Sequence, residues 1–251
     1  METAKLYEAI FFRKSTRRYD FTPLDDKTLE EIRAEFYNLK PLNTQIATEF
    51  KLITAQEIIT LPSLKAPYYV AAFSELKDGY LTNLGFMLQQ LDLFLAAQEM
   101  GSCWQGLPKP TKEVLASSRL EFGIVLAFGK PVGASRRNNI GEFHRKPLSD
   151  ITNIKGADQL LEPARLAPSG MNNQPWYFTG APGLIHAYCR RANFINSLLF
   201  AKMNRLDMGI ALCHLWLAVL QAGKKPEFVC DEAARSKAPS GYYYLTSLKV
   251  D

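Results

Sequence analysis

Apolar positions along this 251-residue chain follow two rhythms. Leu29, Ile32, Phe36 and Leu39 recur at helical spacing, which predicts a helix over 25–37 after the turn at Pro23. Residues 7–13 read as a shorter helix that ends in a basic cluster. Residues 50–55 alternate like a strand, and 66–74 form a near-continuous apolar run with Tyr68, Tyr69, Val70 and Phe73, as a buried strand does. A long helix is predicted over 81–100, with Gly101 as its stop. A strand follows over 122–128, ended by Gly129 and Pro131. Residues 132–144 are polar and rich in Arg, Asn and Gly, which predicts a connecting loop.

A second pass begins at Leu148. Residues 151–166 read as a helix bent or restarted at Pro163. Strands are predicted over 176–179 and 184–189, then a long helix over 198–222 stopped by Gly223, then a strand over 242–250. A slide of 122 residues, the spacing of Gly101 and Gly223, lays Leu84 on Leu206, Leu88 on Ile210 and Leu93 on Leu215. Asn43-Thr44-Gln45 similarly overlies Asn172-Asn173-Gln174 at a spacing of 129. Leucine coincidences on helices also arise by chance. The repeated order of elements is the stronger argument for two like halves, residues 1–147 and 148–251, packed about a pseudo-twofold axis.

The net charge of +5 suits an anionic small molecule, whereas a nucleic-acid binder shows a denser basic face. The expected partners are therefore small molecules, with neither nucleic acid nor membrane. Cys103, Cys189, Cys213 and Cys230 are widely spaced, which reads as free thiols in a reducing cytoplasm. His144, His186 and His214 form no metal-ligand spacing, so no metal site is expected. The charged N-terminal stretch carries no leader pattern. The most apolar stretch, 208–222, falls short of the roughly 20 residues that a membrane span needs. Neither a Gly-rich dinucleotide fingerprint nor a P-loop is present.

Four constellations could carry chemistry. Arg13-Lys14-Ser15-Thr16-Arg17-Arg18 sets four cations and two hydroxyls in six residues. Such a group suits a phosphate dianion, and equally forms a solvated basic patch. Residues 167–176, APSGMNNQPW, offer the Asn172 and Gln174 amides to the pyrimidine edge of a flavin, or simply to the caps of a helix-to-strand loop. In residues 101–108, GSCWQGLP, the glycines around Trp104 let a backbone approach a planar ligand, or terminate a helix over a core tryptophan. Arg136-Arg137 and His144-Arg145-Lys146 could close a phosphate site, or lie exposed on the linker.

In this order the pieces resemble the nitroreductase family of flavoproteins. YEAIFFRKSTRRYDFT at 7–22 is similar to its opening helix and R-R-S-x-R, and APSGMNNQPWYF at 167–178 to its A-P-S-x-x-N-x-Q-P-W-x-F. LAAQEMGSCWQG, LAFGKP and HRKPLSDI look like its central helix, closing strand and basic tail. The order departs from the family plan, because the full N-x-Q-P-W loop stands in the second half and only Asn43-Thr44-Gln45 in the first.

The resemblance implies an α+β fold with mostly antiparallel central sheets flanked by helices. It implies two half-repeats forming an intrachain pseudo-dimer, so that a single chain suffices as the unit. It further implies one FMN site. Arg13, Lys14, Ser15 and Arg17 fall on phosphate and ribityl contacts, and Arg145 and Lys146, with Arg136 behind them, on the basic tail. Ser169, Met171 and Asn172 fall on the loop over the flavin, and Gly106 and Leu107 on the ring-facing loop. The implied activity is transfer of electrons from NAD(P)H, through FMN, to a nitroaromatic or quinone acceptor, with no side chain named as proton donor. A non-catalytic flavin-binding or sensor protein is the alternative.

Overall fold

The computed structural model describes residues 2–192 and 197–251. The first stretch of chain runs α1 (Thr3–Ile10), β1 (Tyr19–Asp20), α2 (Asp26–Glu35), β2 (Thr48–Thr54), β3 (Ile58–Ile59), β4 (Tyr68–Ser74), α3 (Tyr80–Ala97), β5 (Gly101–Gln105), β6 (Lys109–Pro110), α4 (Lys112–Ala116) and β7 (Glu121–Pro131). The second runs α5 (Asp158–Arg165), β8 (Trp176–Ala181), β9 (Leu184–Arg190), α6 (Ser197–Gln221), β10 (Pro226–Val229), α7 (Glu232–Ser236) and β11 (Tyr242–Val250).

Among the described residues, two larger antiparallel sheets result, beside the small antiparallel pair of β3 with β6. In the first, β7 pairs with β4 and β5 and, at its far end, with β1, while β2 lies outside β4. In the second the order is β8-β9-β11-β10. The path β2, β4, α3, β5, β7 and the path β8, β9, α6, β10, β11 thus weave the same pattern: the long helix follows the second strand, and the last strand enters between the second and the third. Both faces of the first sheet are covered. Tyr68, Val70 and Ala72 of β4, with Ile124, Leu126 and Phe128 of β7, face α3. The alternate residues Tyr69, Ala71, Phe73, Val125 and Ala127 build a separate cluster on the other face. That explains why a period-two strand reads as a continuous apolar run.

α3 and α6 pack against each other between the sheets. Both are apolar on nearly every side, the mark of a helix buried all round. Leu84, Leu88 and Leu91 retain no exposed surface, and burial of each contributes about 1.5–3 kcal/mol. The helices meet at two glycines. A Cβ on Gly85 would lie 2.2 Å from the Leu206 carbonyl oxygen, and one on Gly209 would lie 2.0 Å from that of Thr82. The two contacts are reciprocal, residues 85 and 209 standing 124 apart, as do 82 and 206. Asn83 and Asp207 share that spacing: Asn83 Oδ1 accepts the backbone N–H of Asn43, and Asp207 accepts that of Gly170. The helix register in space is therefore 124, two residues from the spacing that the leucine pattern suggests.

Several elements differ from expectation. α1 starts at Thr3 and ends at Ile10, so the basic segment is free of the helix. α5 begins only at Asp158, because residues 148–157 turn through a short 3-10 helix and a left-handed Gly156. Residues 101–105 are a strand and not a loop. α3 is closed by left-handed Glu99, and Gly101 is required for a different reason: a Cβ there would come within 2.6–2.7 Å of the Thr16 side chain. The stretch Phe200–Gln221 is long and apolar enough to cross a membrane, longer than the 208–222 segment that the sequence suggests, yet 78% of its most apolar window is buried inside the protein.

Candidate functional site

The basic segment after α1 is held on both sides. Thr16 N–H donates to the Ser102 carbonyl at 2.8 Å on one side, and Arg137 N–H to the Phe12 carbonyl at 2.8 Å on the other. Arg13 bridges to Arg136, and Ser15 to Ser102. This strand-like clamp turns Arg13 inward, where it is 2% exposed, and leaves Lys14 on the surface.

Buried Arg13 needs a counter-charge, and Asp92 of α3 supplies it: Arg13 Nε donates to Asp92 Oδ2 at 2.6 Å, with the carboxylate wholly buried. Ser102 also donates to this carboxylate. Trp104 Nε1 lies 3.4 Å from Asp92 Oδ2 and donates to Gln89 Oε1 at 3.2 Å. Gln89 Nε2 in turn faces His214 Nε2 at 3.1 Å, while His214 Nδ1 faces the Pro163 carbonyl at 2.8 Å. That carbonyl can only accept, so Nδ1 carries the proton and Nε2 accepts from Gln89. Arg13 Nη1 donates to Ser15 Oγ at 3.2 Å, but its buried Nη2 has no partner among the described residues. Arg137 donates to the Arg13 carbonyl and stacks on Phe143. Its guanidinium is pushed down to about 10, mainly by burial and then by the Arg13 charge; Arg145 is pushed down to about 10 by burial and by Arg13, Arg137 and Arg165. Asp92 pairs with Arg13 and Glu162 with Arg165, and with Arg137 and Arg145 close by this end of the site is rich in positive charge.

The loop before β8 is fixed by its own polar groups. Ser169 Oγ accepts from Gln174 N–H at 2.9 Å. Asn172 Oδ1 accepts from Arg145 Nη1 at 2.6 Å, and Asn172 Nδ2 donates to the His144 carbonyl at 2.9 Å. Gln174 Oε1 accepts from Lys146 N–H at 2.8 Å, and Lys146 Nζ donates to the Gln174 carbonyl at 3.1 Å. These bonds hold Met171 and Asn172 at φ of 52° and 57°, a left-handed conformation that costs about 1–2 kcal/mol per residue outside glycine. Gly170 fits under Met203 because it lacks a Cβ, which would lie 2.3 Å from the Met203 methyl.

Between the clamped segment and this loop opens a cavity of about 150 Å³. Ser15 and Arg17 line one end, and Pro168 to Met171 form the rim. Trp104, Ile124, Leu206 and Ile210 make an apolar wall. Of the residues singled out in the sequence, Ser15, Arg17, Gly106, Ser169 and Met171 meet here. Arg13 lies behind Ser15. Lys14 and Leu107 are exposed, and Asn172, Arg145 and Lys146 bind the loop from outside the cavity wall. The Asn172 and Gln174 amides are thus engaged in the loop itself. Arg137, grouped with Arg136 in the sequence, reaches the Arg13 carbonyl, whereas Asp92, Gln89, Asp207 and His214 are missed by sequence reasoning. Polar residues inside an otherwise apolar helix are the signal that could have found all four.

Asp207 and His214, both buried, are shifted in opposite directions. Burial pushes the Asp207 carboxyl up to about 7, against the Gly170 N–H that lowers it, and pushes the His214 imidazole down to about 4. Folded His214 binds fewer protons than unfolded, so its contribution to stability is present above about pH 6.5 and is lost as pH falls towards 4. Folded Asp207 binds more, so its contribution is present below about pH 3.8 and is lost as pH rises through 7. The slopes oppose, each approaching about 1.4 kcal/mol per pH unit. Urea midpoints measured between about pH 4.5 and 6.5 should rise with pH in Asp207→Asn and fall with pH in His214→Gln, relative to the parent.

A family model described as "Putative TM nitroreductase" matches residues 5–219. No curated protein matches the chain. A solved structure of a "putative nitroreductase" from Thermotoga maritima is 19% identical, covering 100% of this chain and 94% of that one at a TM-score of 0.68. An FMN-dependent nitroreductase from Clostridium difficile is 15% identical over 56% of this chain and 94% of its own, at a TM-score of 0.43. A "putative nitroreductase in complex with FMN" from Desulfovibrio desulfuricans is 21% identical over 59% and 98%, at 0.39.

Proposed function

The chain belongs to the nitroreductase family and has its α+β fold, and from that premise we propose that it is an FMN-dependent oxidoreductase that passes electrons from NAD(P)H to a quinone or nitroaromatic acceptor. One observation carries the reading: a cavity with a cationic end and an apolar wall, beside a buried Arg13 Nη2 that has no acceptor among the described residues. A buried guanidinium donor left without a partner is costly, and a phosphate oxygen would satisfy it. Arg13 and Arg17, with Ser15, are the residues that would hold the phosphate, and Arg137 adds to the positive field. Trp104, Ile124, Leu206 and Ile210 offer a planar ring an apolar wall, and Met171, 82% exposed, stands at the rim. The bound flavin supplies the hydride chemistry. The protein keeps the ring against a dry wall and positions Trp104 through the Asp92 and Gln89 bonds.

The halves of the chain act together in this reading as an internal pseudo-dimer, one polypeptide forming one site from both. The expected result is a yellow protein with one FMN per chain, which oxidises NADH or NADPH when menadione or a nitroarene is added. Absorbance of released flavin against protein gives the stoichiometry, and the loss of NAD(P)H absorbance gives turnover. Colourless protein that takes up no FMN rejects the proposal. Flavin binding without turnover moves the protein to the binding or sensor reading.

A further inference from the structure

We infer that Asp207 hands a proton to the acceptor as it is reduced in this cavity, an inference that rests on the proposed oxidoreductase reading. Asp207 lies on α6 between Met203 and Ile210, and all three line the cavity. It is 4% exposed. Its carboxylate accepts only the backbone N–H of Gly170, at 3.0 and 3.1 Å, and among the described residues no ion pair holds it. The comparison with Asn83 shows that holding the loop does not require an acid. At the reciprocal place on α3, Asn83 holds the backbone of Asn43 with an amide oxygen at 2.9 Å. What a carboxyl adds at 207 is a transferable proton.

The other polar groups facing this space do not serve. Arg17 on the N-terminal segment stays charged at neutral pH. Cys103 on β5 has its thiol pushed up by burial, with its sulfur 3.6 Å from the Trp104 carbonyl. Ser15 and Ser169 carry hydroxyls too weakly acidic for the task. Behind Asp207 lies Cys189 on β9, whose thiol is pushed up by burial and by the Asp207 charge, and which Arg190 and Arg205 pull the other way. Burial leaves the Asp207 proton in place up to about pH 7, which suits a donor working near neutrality.

The step balances. A quinone acceptor gains a hydride, and with it two electrons, at the expense of NAD(P)H. The hydride forms an O–H bond at one quinone oxygen, both carbonyl π bonds are spent as the ring becomes aromatic, and the other oxygen, left as an oxyanion, forms its O–H bond as the Asp207 O–H bond breaks. The carboxylate then regains a proton from water.

The test pairs D207N with D207E. Asparagine keeps an acceptor for Gly170 N–H and removes only the proton. In the FMN-loaded protein reduced by one equivalent of NADPH, reoxidation by menadione should slow about tenfold per pH unit above pH 7 in the parent. In D207N it should be about 10²-fold slower at low pH and independent of pH. D207E should restore a pH-dependent rate. Apart from activity, the infrared band of a protonated carboxyl, seen at about pH 5.5 and lost at about pH 8.5, should vanish in D207N apoprotein. A parent-like rate and pH profile in D207N overturns the inference, as does a D207E rate without pH dependence or an infrared band that persists in D207N. A parent chain that binds no FMN overturns the oxidoreductase reading and this inference with it. A parent that binds and turns over, with D207N unchanged, overturns this inference alone.

Discussion

Arg13→Ala should destabilise the fold by about 3–5 kcal/mol and abolish retention of FMN. The reason lies in what remains behind. Asp92 is wholly buried, and once its cation is gone the carboxylate keeps only the Ser102 hydroxyl and the more distant Trp104 indole. A hydroxyl and an indole N–H do not neutralise a buried charge, so breaking one side of such a pair costs far more than the pair itself contributes. Arg13→Lys separates the two roles. A point charge can face Asp92 but cannot also reach Ser15 and present a second free donor, so stability should recover more than flavin binding does. Urea midpoints report the first effect, and flavin retained through gel filtration the second. Ser15→Ala keeps the ion pair, and together with Arg13→Lys it should release FMN from a folded protein. Full flavin occupancy in that double variant would refute the phosphate assignment.

Gly209→Val should destabilise the chain by about 3 kcal/mol or more, and Gly209→Ala by about 1–3 kcal/mol. Helix propensity alone predicts the opposite sign, since alanine in a helix gains about 1 kcal/mol over glycine. The packing effect is larger because the obstacle is backbone. A new Cβ would sit 2.0 Å from the Thr82 carbonyl oxygen and 2.6 Å from the Phe86 nitrogen, and neither can swing aside as a side chain would. The helices must separate, and with them the wall formed by Leu206, Asp207 and Ile210. Loss of urea stability and loss of bound flavin should therefore appear together. A Gly209→Ala protein with an unchanged midpoint would show that the helices yield at no cost.

The long, strongly patterned elements were legible in the sequence. The run from Tyr68 and the Tyr-rich segment from 242 are strands, and the two long apolar stretches are the paired helices. Ser15, Arg17, Ser169, Met171 and Gly106 do converge, although up to 156 positions part them along the chain. What stayed hidden depends on partners distant in sequence. Nothing local distinguishes Gly101 as a glycine pressed against Thr16 from a glycine that ends a helix. The Asn172 and Gln174 amides could have faced a ligand or their own loop, and only the positions of Arg145, His144 and Lys146 decide for the loop. Asp92 and His214 lie in helices whose apolar character masks them, and they acquire meaning only through Arg13 and Gln89.

An assembly of two identical subunits carries every substitution twice, once on each side of its axis. The internal pseudo-dimer proposed above is free of that rule. On its paired helices residue 207 is an acid and residue 83, at the reciprocal place, an amide. In that reading selection, or an engineer, can retune the acidity of one chamber by a single codon and leave the reciprocal position to serve the scaffold alone.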